Sequence, residues 1–186
     1  MMLENYEGEK IDKMSVKKIG IVIYGTCKHK DHFWEAWLDS AKELIRTIGY
    51  VPTHAGITGT SYPAKLRTLA RSEQKMRNVI AGGEPVSSLS VYSLPKNFHT
   101  ANDNHCWLTI SNSRYSHPAN AYCEMNFDEC GKELIETIKN TLLIFMEMEQ
   151  CEIFTMDKDR VPFNYVFKGM GNEIDKYPTL ELLYRS

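Results

Sequence analysis

Apolar and polar positions along the chain alternate with two periods, and the places where the period changes mark out its elements. Lys18 opens the run Ile19-Gly20-Ile21-Val22-Ile23-Tyr24, which Gly25 closes. A short β-branched run of this kind has the profile of a strand buried on both faces. Beyond a polar loop, Trp34, Trp37, Leu38, Ala41, Leu44, Ile45 and Ile48 recur at helical spacing. Asp31 is placed to cap that helix and Gly49 to stop it. A second helix is expected from near Ser61, with Pro63 in its first turn and Tyr62, Leu66, Leu69, Met76 and Ile80 facing inward up to Gly82-Gly83. Val86–Tyr92 alternates small polar with apolar side chains, as a half-buried strand does. Cys106–Ser111 and Ala121–Phe127 read as strands, and a third long helix starts at Asp128 with Leu134, Ile135, Ile138, Leu142, Phe145 and Met146 on one side. Cys151–Met156 reads as a further strand, followed by weaker strand patterns at Phe163–Phe167 and Leu180–Tyr184.

Runs of consecutive strands between helices favour antiparallel pairing over a doubly wound parallel sheet. The expected fold is therefore α+β: a mostly antiparallel sheet with about three long helices packed mainly on one face. Residues 1–16 read as a flexible polar arm, and 17–186 as a single domain without repeats or linkers.

Composition sharpens the exclusions. With 42% apolar and 25% charged residues, the 186-residue chain has a globular makeup, outside the disordered, collagen-like and coiled-coil classes. No apolar run approaches the roughly 20 residues of a membrane-spanning helix. The segment Met1–Lys10 is acidic and polar, unlike a secretory signal. Five cysteines, an odd number without a CxxC pair, fit reduced thiols in a cytoplasm. A net charge of −2 gives no whole-protein reason to expect direct nucleic-acid binding.

The charge is unevenly spread: residues 50–118 carry a net +4 and residues 119–157 a net −7. The second helical region holds Lys65, Arg67, Arg71, Lys75 and Arg77 against Glu73 alone. The first helix shows Asp31, Glu35, Asp39 and Glu43 at i, i+4 spacing. Like charges so placed repel weakly and give the isolated helix nothing. The stripe is either a solvated face relieved by Lys42 and Arg46 or a surface that meets a basic partner.

Chemistry-bearing groups are scattered. Cys27, His29, Asp31 and His32 share the loop between the first strand and the first helix, as a polar loop or a partial metal site. His105 and Cys106 are neighbours at a strand entry, where successive side chains point to opposite faces. Gly56–Ser61 could turn into the second helix or cradle an anion, but it matches neither GxxxxGK[ST] nor GxGxxG. The loop Tyr92–His99 offers Tyr92, Phe98 and His99, residue types suited to recognition. No cofactor or metal is implied.

The strand-to-helix opening (Ile19–Gly25, then Asp31–Ile48), the Ser88–Pro95 stretch and the acidic segments together resemble the immunity proteins of bacterial toxin–immunity systems. That resemblance implies a cytoplasmic protein without catalytic residues, which binds a cognate toxin domain, often a nuclease, and blocks its active site or substrate groove. The surfaces it points to are the stripe Asp31, Glu35, Asp39 and Glu43, as a phosphate mimic, and Tyr92, Phe98 and His99. The alternative is a small cytoplasmic enzyme whose site converges from His54, His99, His105, Cys27, Cys106 and Tyr92.

Overall fold

The computed structural model describes residues 16–29, 31–59, 65–112, 118–167 and 174–186. The expected arm falls almost wholly outside them; Val16 is exposed, and its carbonyl accepts a hydrogen bond from Lys158 N–H.

Eight strands form one sheet: β1 (Lys17–Cys27), β2 (His54–Gly59), β3 (Arg67–Thr68), β4 (Val86–Ser93), β5 (Cys106–Ser111), β6 (Ala119–Asn126), β7 (Met146–Asp157) and β8 (Glu181–Arg185). Their order is β3-β2-β4-β5-β6-β1-β7-β8, and every pairing is antiparallel. Helices α1 (Phe33–Ile48), α2 (Leu69–Ala81) and α3 (Lys132–Phe145) pack on one face, and the short α4 (Phe163–Phe167) lies on the other. The fold is α+β, as the strand runs imply.

Strand alternation sorts the side chains into two cores. Ile19, Ile21, Ile23, Leu89, Val91, Leu108, Cys123 and Ile153 meet the three helices. Their strand neighbours Val22, Tyr24, Tyr92, Trp107, Tyr122 and Phe154 form a second, aromatic layer with Tyr165 and Val166 of α4. β1 is central, between β6 and β7, and buried from Lys18 to Tyr24. Both faces being covered explains why its sequence is a continuous apolar run.

Several local expectations need correction. The residue at the head of α1 is His32, in a left-handed conformation (φ 59°) with no side-chain cap, so Asp31 does not cap the helix. Gly49 does end it, at φ 104°, and its N–H and that of Tyr50 close on the carbonyls of Arg46 and Ile45. α2 begins at Leu69 because Arg67 and Thr68 remain extended, pairing with Ala55 and His54. Lys65 and Arg67 therefore precede that helix; Tyr62 and Pro63 lie outside the described residues. Gly56 and Gly59 belong to β2 and form no loop at a helix N-terminus. Phe163–Phe167 is helical, following Pro162, which suits the first turn of a helix.

Candidate functional site

The acidic stripe divides into two halves. Arg77 on α2 donates two hydrogen bonds to Asp39 and also reaches Glu73, which accepts from Lys42 at 2.7 Å. These contacts tie α1 to α2, and the bonds to Asp39 and Glu73 push the Arg77 guanidinium further up its range. Glu43 accepts from Arg46 at 3.2 Å. Asp31 and Glu35, nearer the N-terminal end, have no ion-pair partner among the described residues.

A hollow of about 340 Å³ opens beside Glu35, walled by Phe33, Trp34, Glu35, Ile80, His29 and His32. Its aromatic wall is fixed from below. Phe33 lies edge-on to Trp34 (5.1 Å) and to Phe145 (5.8 Å), and Trp37 also meets Phe145 edge-on at 5.2 Å. The Trp37 indole N–H donates to Leu89 O at 3.0 Å, which locks α1 onto β4. Trp34 is left half-buried. Cys27 turns inward, and burial pushes its thiol up to about 11. No group of three or more His, Cys, Asp or Glu side chains is placed to hold a metal ion among the described residues.

The second candidate surface is dispersed by the fold. Tyr92 is buried in the aromatic layer, stacked on Trp107 at 5.2 Å. Phe98 packs edge-on against His54 at 5.0 Å, and His99 is exposed. The N–H groups of His99 and Thr100 donate to Asp103 Oδ2 at 2.8 and 2.9 Å, which holds that carboxyl down to about 2. Of the groups an enzyme site would draw on, Cys27 and Cys106 sit in the helix-side core and Tyr92 in the opposite layer; His99 and His105 border one cleft.

That cleft, of about 320 Å³, lies at the Lys18 end of β1 and is the feature that sequence reasoning missed. Lys18 is only 1% exposed. Its ammonium donates to the backbone carbonyl and side-chain oxygen of Asn104. Asn104 Nδ2 donates to Glu124 Oε1 at 3.2 Å, and the Tyr122 hydroxyl donates to Glu124 Oε2 at 2.9 Å. Burial pushes Lys18 down and Glu124 up, and each opposes the other's shift by its charge. His105 stacks flat on Tyr50 at 5.4 Å and is held below the usual imidazole value by burial and by the nearby Lys18 and Lys158. A second buried carboxylate, Glu152, accepts from Tyr165 (2.8 Å), Arg185 (2.6 Å) and Gln150 (2.6 Å). The available signal was a charged residue next to or within an apolar stretch: Lys18 before Ile19, Glu124 between Cys123 and Met125, and Glu152 between Cys151 and Ile153.

No helix among the described residues is long and apolar enough to cross a membrane. Comparisons of the chain with protein-family models, with curated proteins and with solved structures give no match.

Proposed function

We propose that this protein neutralises a cognate bacterial toxin domain by binding it and occluding its active site or substrate groove, with a nuclease as the target class. The observation that carries the reading is the division of the α1 stripe. Asp39 and Glu43 are engaged by cations of the fold, whereas Asp31 and Glu35 are not, and Glu35 lines an aromatic hollow. A partner Arg or Lys entering that hollow would meet the Glu35 carboxylate and the ring of Trp34 together. Such a contact combines a charge-assisted hydrogen bond with a cation–π interaction. Tryptophan in a partly enclosed pocket is also a common interface anchor. A nuclease groove is basic because it binds phosphates, so carboxylates at this position compete with its substrate. The site of action is the cytoplasm, where the five free thiols stay reduced.

The test is affinity capture of the tagged full-length protein from its native cells at low salt, followed by co-expression with whatever protein co-purifies stoichiometrically. The reading predicts a partner that arrests growth alone and is silenced by co-expression. A partner without toxicity, or recovery of the protein alone, would contradict it.

A further inference from the structure

We propose that the cleft at the Lys18 end of the sheet binds a small oxyanion, a carboxylate or phosphate group, between Lys18 and Lys158. This site is separate from the α1 hollow: β1 runs from one end to the other, and nine residues of strand at about 3.3 Å each separate them by about 30 Å.

The donor and acceptor inventory of the cleft decides the sign of the ligand. Its one lining carboxylate, Asp103, is already engaged on both oxygens: Oδ2 accepts from two backbone N–H groups, and Oδ1 lies 3.3 Å from Lys158 Nζ. The remaining polar walls are Lys18, Lys158, His99, His105 and the amides of Asn97, Asn104 and Asn126, so two ammonium groups stand against one carboxylate. Lys18 is the decisive group. An ammonium carries three N–H donors. Among the described residues its acceptors are the two oxygens of Asn104, and no carboxylate lies within salt-bridge reach. Glu124 acts on it by charge and through the bridging Asn104, without a direct ion pair. A buried cation without a direct counter-ion is costly, and an anion in the cleft supplies the missing partner. Lys158, whose side chain is 30% exposed, closes the outer side. The volume suits a compact ligand, at the lower end of the range for small-molecule sites.

The test is a titration of the full-length protein with inorganic phosphate, and separately with acetate, at constant ionic strength, following the imidazole resonances of His99 and His105 by NMR. Saturable shifts are expected, and the probe that saturates first distinguishes phosphate from carboxylate. Lys158→Ala should weaken binding about tenfold or more, which corresponds to about 1.4 kcal/mol. Lys139→Ala, a lysine on the surface of α3, should leave it unchanged. Lys18→Met tests the floor directly, and Lys158→Ala keeps the proposal testable if that variant does not fold. Absence of saturable shifts with either probe, or equal affinity in Lys158→Ala, would overturn the proposal.

Discussion

One glycine of the central strand lies directly against an aromatic ring, and adding a single methyl group there should be felt throughout the aromatic layer. Gly20 sits on β1 between Glu124 of β6 and Phe154 of β7. A Cβ at this position would lie 2.4 Å from Phe154 Cζ and 2.7 Å from Cε1. Non-bonded carbons rest about 3.5–4.0 Å apart, so the ring would have to withdraw by about 1 Å. It has nowhere to go: Phe154 is fully buried, stacked against Tyr122 at 6.4 Å and met edge-on by Tyr165 at 4.9 Å. Overpacking of this kind costs about 1–3 kcal/mol. The backbone entropy that alanine saves in a strand returns about 0.5–1 kcal/mol. A net loss of about 1–2 kcal/mol is expected for Gly20→Ala, a fall in Tm of about 2–8 °C for a chain of this size. Urea unfolding of the wild type, Gly20→Ala, Phe154→Leu and the double variant would measure it. Because the smaller side chain makes room for the methyl, the double variant should be less destabilised than the sum of the singles by about 1 kcal/mol or more. A Gly20→Ala protein as stable as the wild type, or strict additivity, would refute the packing described here.

Three further outcomes follow from buried or engaged groups. Glu152→Ala should cost about 3 kcal/mol in denaturant unfolding, since that carboxylate, only 1% exposed, accepts from Tyr165, Arg185 and Gln150; the surface variant Glu43→Ala should stay within about 0.5 kcal/mol. Asp103 is held below its usual 3.8, so its stabilisation is complete above that value and is lost as pH falls through about 2. Unfolding measured against pH in that window should therefore flatten in Asp103→Asn. Alkylation of the native protein at mildly alkaline pH should reach half-buried Cys130 before Cys27, Cys106, Cys123 or Cys151, all buried. Peptide mapping after brief iodoacetamide exposure would show the order, and early labelling of Cys27 would contradict its inward placement.

Elements with a sustained period were legible in the chain, and those decided by a distant partner were not. The α1 stripe of Trp37, Leu38, Ala41, Leu44 and Ile45 and the alternation in β4 could be read directly, because each pattern is local. The delayed start of α2 could not, since Arg67 and Thr68 are held extended by pairing with β2. Five residues at Phe163–Phe167 are too few to separate a period of 2 from one of 3.6, and their aromatic content suggested a strand. The carboxylates Asp31, Glu35, Asp39 and Glu43 were visible at their spacing, but that Asp31 falls in the turn before α1 and that Arg77 captures Asp39 depend on how the chain packs. Lys18 and Glu124 were not read as a site, because their meeting through Asn104 joins three segments far apart in sequence.

Glu35 is the stripe carboxylate on α1 without an ion pair among the described residues, and a growth assay compares it directly with a paired one. Cells producing the captured partner would be supplied with the wild-type protein, with Glu35→Lys, or with Glu43→Lys; the two variants change the net charge equally. Wild type and Glu43→Lys should both restore growth, and Glu35→Lys, at the wall of the aromatic hollow, should not. Full rescue by Glu35→Lys, or no rescue by the wild type, would contradict the account.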